Sequence, residues 1–425
     1  MTPEDGTFIA FLNDGPAQRQ SGGTPKTLVE LQNQLAYVRQ SRRDHSYSKG
    51  VTKLFDLLLS YGEFTEEAAR QGRRVVWVHG MYFCPILYAA DIIPRGVTET
   101  GRIGSLDAIP IADDLFQLPK EACSMIATVI GELYLRRDTL VKELVAYGGG
   151  CEPMIVAWEL LKEHGYTIHR VEGVYAPPKG DEERKQQVIK FAAAEFGDLL
   201  ERLTGAPLDE ARLAAELARS NRLTTKLGRI LGLRANNPYF LRSLATTLLI
   251  EGNSTYFGRP EEYEEVLDLL IEEMEASDII PPPKGKVIPI AWVGHRGQEF
   301  GVYKAVDDAG GALFFNAPGV GAARRWRENI PPLEAIGEFL TGGWARGNWT
   351  ERFKIVENIV AKTGAKGIIL YTYIGCSFGG FHNEIEREHF QKIGIPALNL
   401  EGSFQIGAPH GQLLTRVRAF IEMLN

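Results

Sequence analysis

The 425-residue chain is 44% hydrophobic and carries a formal net charge of −7. Such a length buries a sizeable core over two or three domains, and the acidic balance excludes a non-specific nucleic-acid binder, which needs a basic surface. No apolar run reaches the length of a membrane span, and Met1-Thr2-Pro3-Glu4-Asp5 opens nothing like a signal peptide, so a cytoplasmic protein with no membrane or nucleic-acid partner is expected. The four cysteines include no close pair and make no disulfide framework; they are buried thiols or ligands gathered from distant parts of the fold.

Residues 1 to about 24 are polar and rich in Gly, Pro and Gln, and read as an arm. From Pro25 to Tyr61 apolar residues recur at helical spacing: Leu28, Leu31, Leu35, Val38, then Val51, Leu54, Leu57 and Leu58. Val75 to Val78 is a short apolar strand, followed by a helix from Pro85 to about Ala90. Leu118-Pro119-Lys120-Glu121-Ala122-Cys123-Ser124 leads into a helix ending near Leu135. Cys123 therefore stands at a helix N-terminus, where backbone N–H groups favour a thiolate.

Tyr147-Gly148-Gly149-Gly150-Cys151-Glu152-Pro153 follows an apolar strand, Glu143 to Tyr147. A helix from Pro153 to about His164 and a strand from Tyr166 to Val171 complete a βαβ unit that closes on Glu172-Gly173. Cys151 sits at the carboxyl end of the strand, where open α/β sheets bind ligands. Beyond Pro177-Pro178, the chain is helical from Asp181 to Ser277, with breaks at Gly205-Ala206-Pro207, Asn236-Asn237-Pro238 and Gly252-Asn253-Ser254. Ile280-Pro281-Pro282-Pro283-Lys284-Gly285 is a stiff linker.

After the linker, Val287 to Val293, Ala312 to Asn316, Gly367 to Tyr373 and Pro396 to Leu400 read as strands of a second parallel sheet. The βαβ plan returns there: Gly375-Cys376 is the turn, a helix runs from Phe381 to Lys392, and the second strand closes on Glu401-Gly402. A last helix spans Gln412 to Met423. The expected fold is α/β, with two Rossmann-like or flavodoxin-like parallel-sheet domains, a helical N-terminal segment and a helical insert. The expected division is 1–72, arm and helical segment; 73–180, first α/β domain; 181–285, helical region and linker; 286–425, second α/β domain.

Cys123, Cys151 and Cys376 each stand at a ligand-binding corner. Three thiolates from separate loops suit an iron–sulfur cluster better than structural zinc, which usually takes ligands from short-spaced motifs. Ordinary buried cysteines are the competing reading. No P-loop pattern occurs. Gly319-Val320-Gly321 follows a strand, but Arg324 stands where a dinucleotide fingerprint wants its third glycine. Arg324, Arg325 and Arg327 form either a solvated helix face or an anion site for a CoA phosphate. His79, His295, His382 and His410 fall in loops or at helix ends, and His295-Arg296-Gly297-Gln298 is the best candidate for a polar pocket wall. Glu172 and Glu401 either face the cysteine side or pair with nearby basic groups.

From about Arg73 onward, the chain resembles the cluster subunits of the 2-hydroxyacyl-CoA dehydratases and the related ATP-dependent benzoyl-CoA reductases. Ala122-Cys123-Ser124-Met125, Cys151-Glu152 before the helix containing Trp158, and Gly375-Cys376-Ser377-Phe378 carry the likeness. The ending from Ile395 through Leu400-Glu401 and Gly411-Gln412-Leu413-Leu414-Thr415-Arg416-Val417 carries it too. The resemblance implies a 4Fe–4S cluster held by Cys123, Cys151 and Cys376. It further implies a heterodimer with a homologous second subunit, a separate cluster-containing activator ATPase that delivers an electron, and an acyl-CoA substrate whose thioester becomes a ketyl radical. Cluster potentials reach down to about −700 mV, which makes coupling to ATP in a partner physically sensible.

One departure stands out: Pro85 occupies the place of a glutamate that could act as acid or base in dehydratases. Ring reduction or an electron-relay role therefore stays open beside dehydration, as does a cluster-free binding protein on the same scaffold. Cys84 has no role that the resemblance assigns.

Overall fold

Two four-stranded sheets, all parallel, organise the chain. The computed structural model describes residues 37–80, 84–97, 107–119, 121–148, 151–174, 177, 180–283, 285–316, 324–341, 349–404 and 411–425. The N-terminal arm, the helical positions Leu28, Leu31 and Leu35, the Gly149-Gly150 turn, Pro178, Gly319-Val320-Gly321 and His410 lie outside the described residues.

Helix α1 (Lys49–Arg70) starts where the Ser48 hydroxyl accepts a hydrogen bond from the Val51 amide, and it buries Val51, Leu54, Phe55, Leu58 and Tyr61. It runs past Tyr61 because Thr65 and Ala68 continue the same buried stripe. The first sheet follows as β1 (Val75–His79), α2 (Cys84–Ala89), β2 (Ile93–Gly96), α3 (Ala108–Asp114), α4 (Ser124–Leu135), β3 (Glu143–Gly148), α5 (Glu152–Lys162) and β4 (Thr167–Glu172). Its spatial order is β2-β1-β3-β4. Strand β2 is not anticipated from the sequence: Pro94 and Gly96 erase the pattern of a four-residue strand, and both are tolerated because β2 is an edge.

Four helices come next: α6 (Glu182–Thr204), α7 (Glu210–Asn236), α8 (Ser243–Gly252) and α9 (Pro260–Ala276). Asp181 and Asp209 cap the first two, accepting from the amides of Arg184 and Arg212, and Gly205 at φ +66° ends α6. The second sheet then repeats the first with β5 (Ile288–Gly294), α10 (Gly301–Asp308), β6 (Gly311–Asn316), α11 (Pro332–Thr341), α12 (Trp349–Thr363), β7 (Gly367–Tyr373), α13 (Ser377–Lys392), β8 (Ala397–Gly402) and α14 (Gly411–Met423). Its order is β6-β5-β7-β8, the same arrangement in space as β2-β1-β3-β4. Every residue of β7 is buried, which is why it reads as a continuous apolar run.

Order reverses between β1 and β3 in one sheet and between β5 and β7 in the other. These are the switch points, where a crevice opens at the carboxyl ends of the strands. The fold is therefore α/β, with two parallel-sheet domains, N-terminal helices and a helical insert. We propose the boundaries at residues 72, 180 and 285, with α11 crossing back. Ala335, Ile336 and Phe339 of α11 share an apolar cluster with Phe196 and Leu199 of α6 and with Val76 and Val78 of β1.

Helix α4, whose first residue follows Cys123, lies against α3 so closely that a Cβ on Gly131 would fall on the Ala108 carbonyl. Gly131→Ala should lower the unfolding free energy by about 1–3 kcal/mol, the usual penalty of overpacking. An unchanged denaturation midpoint would contradict this packing.

Candidate functional site

Each of the three corner cysteines is the N-cap of a helix: Cys123 of α4, Cys151 of α5 and Cys376 of α13. A thiolate there faces the positive end of a helix dipole. Sequence reading starts α13 only at Phe381 because Gly379-Gly380 is a poor helical stretch. The helix begins at Ser377 instead, and Gly379 is needed there, since a Cβ would fall on the Thr372 hydroxyl and 3.0 Å from His295 Nε2.

The corners of Cys123 and Cys376 meet. The Ser124 amide donates to the Ile374 carbonyl at 3.0 Å, and the Phe404 amide donates to Ser124 Oγ at 3.1 Å. Gly375, at φ +77°, lets the turn lie on the segment before Cys123; an added Cβ would stand 2.5 Å from the Ala122 carbonyl oxygen and 2.6 Å from that of Glu121.

The Cys123 and Cys376 thiols act on each other's ionisation. Cys123, with lesser help from His295 and the Gly379 amide, draws the Cys376 thiol below the usual cysteine range against the opposing effect of burial. The same interaction, with burial, pushes the Cys123 thiol up. Cys151 is half-buried; burial pushes its thiol up, the Met154 amide draws it down, and the charge of Cys376 raises it further. Cys151 thus feels Cys376 without bonding to it.

His295 Nε2 lies 3.3 Å from Cys376 Sγ, and the Gly379 amide donates to the same sulfur at 3.3 Å. Among the described residues, no three His, Cys, Asp or Glu side chains converge tightly enough for a single metal ion. The donor chemistry is of the kind an iron–sulfur cluster takes: soft thiols brought from three separate loops.

Other sequence candidates lie apart. Cys84 is 3% exposed, and burial raises its pKa well above the ordinary value. It lines a different cavity, about 350 Å³ of empty space partly open to solvent, with Pro85, Ser220, Thr224, Tyr256 and Trp326, and no carboxylate lines it among the described residues. Glu172 is ion-paired with Arg170 at 3.0 Å, and Glu401 is exposed, so neither is buried toward the cysteines. Glu152 is exposed in the first turn of α5. Arg324 lies over the Phe339 ring at 4.0 Å, and Arg327 pairs with Glu338 at 2.8 Å. His382 is half-buried on α13. His79 ends β1 with its ring 5.3 Å from that of Trp158; burial lowers its pKa to about 4, and its Nδ1 is buried without a partner.

Open parallel sheets of this kind offer a ligand crevice at their switch points, and Cys151 and Cys376 follow strands there. The family model for the 2-hydroxyglutaryl-CoA dehydratase D-component matches residues 81–424, and the chain belongs to this family. No curated protein matches it. Membership makes the chain a dehydratase component and implies a partner subunit and an acyl-CoA substrate. No described helix is long and apolar enough to cross a membrane.

Sequence reading missed Glu299, next to the His295-Arg296-Gly297-Gln298 run that it singled out. Glu299 is 2% exposed and accepts a hydrogen bond from the Tyr371 hydroxyl at 3.3 Å; Gly402 packs there without room for a Cβ. A carboxylate directly beyond a polar run that follows a strand was the available signal. Burial pushes its pKa up to about 7. The folded chain therefore holds a proton between pH 4.5 and about 7 that the unfolded chain has released, and stability falls as pH rises through that window. Glu299→Gln should flatten this fall, read from denaturation midpoints across the window. An undiminished slope would contradict the assignment.

Proposed function

We propose that Cys123, Cys151 and Cys376 hold a 4Fe–4S cluster at which an acyl-CoA thioester is activated for dehydration. The work is shared with a homologous second subunit and depends on a cluster-containing activator ATPase. The observation that carries this reading is the meeting of two cysteine corners from different sheets: the residue after Cys123 donates its amide to the Ile374 carbonyl, and Gly375, the residue before Cys376, lies on the Ala122 carbonyl. The family match supports the acyl-CoA and the partner.

When bound, the cluster supplies a low-potential electron and, with three thiolates for four irons, one iron free of protein sulfur. The chain's own residues do the rest. The three helix N-termini behind the cysteines stabilise negative charge at the site. The Gly375 contact and the Ser124 bonds hold two ligands in register across the domains, so little reorganisation is required when charge arrives. The crevice between the carboxyl ends of the two sheets is the path for the CoA tail.

One observation favours a second reading, an electron-relay subunit or a ring-reducing component. Pro85 is buried in the first turn of α2, and among the described residues no carboxylate lines the cavity beside it.

Single replacements Cys123→Ala, Cys151→Ala and Cys376→Ala should each abolish bound iron and acid-labile sulfide, because Cys84, in its separate cavity, offers no substitute. Cys84→Ala should keep most of both. Full iron content in any of the first three variants would overturn the ligand set.

A further inference from the structure

We infer that His295 is a positioning residue that donates its Nε2–H to the sulfur of Cys376 and thereby sets the reduction potential of the cluster this thiolate holds. The inference rests on the reading of Cys376 as a cluster ligand and adds to it a residue outside the ligand set.

The geometry is built rather than incidental. His295 Nε2 is 3.3 Å from Cys376 Sγ. The backbone of His295 is fixed and one face of its ring is stacked. Its backbone amide donates to the Tyr371 carbonyl at 2.8 Å, and its carbonyl accepts from Trp292 Nε1 at 2.8 Å. Its ring lies nearly flat on Tyr373, centroids 4.8 Å apart and planes 18° apart. Tyr373 is itself fixed, its hydroxyl donating to the Arg296 carbonyl at 2.7 Å. Gly294 makes the approach possible: it has φ +102°, and a Cβ there would collide with the Tyr371 carbonyl. On the far edge, a Cβ on Gly379 would stand 3.0 Å from His295 Nε2. Two glycines, two backbone bonds and a stacked tyrosine thus aim one ring nitrogen at one sulfur.

The chemistry fixes the direction of the hydrogen bond. A metal-bound thiolate carries no proton and can only accept, so a ring nitrogen at hydrogen-bonding distance serves as N–H donor. His295 and the Gly379 amide both lie on the Cys376 sulfur and remain available to it when it binds iron. Each donor draws electron density from the sulfur. The reduced cluster carries one more negative charge than the oxidised one, so both donors stabilise the reduced form and raise the potential; hydrogen bonds to cluster sulfurs are a recognised determinant of it. No bond is made or broken in this role: the electron enters the cluster, and the proton stays on the imidazole.

The fold places this histidine in a general position. His295 follows β5 and Cys376 follows β7, the neighbouring strands that flank the switch point of the second sheet. The first sheet carries His79 at the end of β1, beside β3 and its following Cys151. There the ring lies against Trp158 and Nδ1 has no partner, so the sulfur contact belongs to the second sheet.

The test is a redox titration of the full chain, anaerobically loaded with iron and sulfide and followed by electron paramagnetic resonance. His295→Leu should shift the one-electron reduction equilibrium toward the oxidised form by the difference in hydrogen-bond strength between the two states, at most about tenfold, which is about 59 mV more negative. His295→Gln, which returns an N–H donor to the same reach, should titrate close to the wild type. A merely structural histidine would leave the potential of the loaded cluster in place. A cluster-loaded His295→Leu protein with the wild-type potential overturns the inference and leaves the ligand set intact. A wild-type chain that takes up no cluster overturns both. Should His295→Leu fail to load, the wild type labelled with ¹⁵N-histidine decides the matter by pulsed resonance on the reduced cluster. A coupled imidazole nitrogen that disappears in the cluster-loaded His295→Gln protein is expected, and its absence from the wild type overturns the inference.

Discussion

The candidate site depends on a contact with no side chain in it. Gly375 lies on the carbonyls of Glu121 and Ala122 so closely that a methyl group cannot enter. That approach brings a turn of the second sheet onto the lead-in to α4 and sets the Cys123 and Cys376 corners together. Only a residue without Cβ, and free to adopt φ +77°, fits there. The neighbouring bonds, Ser124 to Ile374 and Phe404 to Ser124, fasten the same joint from the backbone side. Two domains thus contribute to one cysteine site, which neither sheet completes alone.

Much of this was legible in the sequence, for identifiable reasons. Parallel strands buried on both faces are continuous apolar runs, so β3, β5 and β7 are plain. The glycines around Cys151 and Cys376 mark turns at strand ends whatever lies beyond them. Edge strand β2 was not legible, because Pro94 and Gly96 break its pattern, and the start of α13 was hidden by glycines that close packing demands. Neither the thiol pair nor the bond from His295 to Cys376 can be read from spacing. Both depend on how one sheet docks on another, which a linear pattern does not encode. Arg324 and Arg327 illustrate the reverse: a basic cluster resembling an anion site is engaged by Phe339 and Glu338.

The repeated sheet order gives the molecule two equivalent switch points, and they are not equally furnished. In the second sheet the sulfur of Cys376 meets the Gly379 amide and His295. In the first, burial raises the Cys151 thiol while the Met154 amide draws it down. Burial likewise pushes Glu299, which accepts from the Tyr371 hydroxyl, up to about 7.

The central claim is that three cysteines bind one cluster with an iron left open to an acyl-CoA. Adding an acyl-CoA to the anaerobically reduced, cluster-loaded protein tests it most directly. Acyl-CoA should change the resonance spectrum and free CoA should change it little, because only the thioester carbonyl reaches the iron. A spectrum indifferent to every acyl-CoA shown independently to bind would contradict it and leave the chain as the relay subunit.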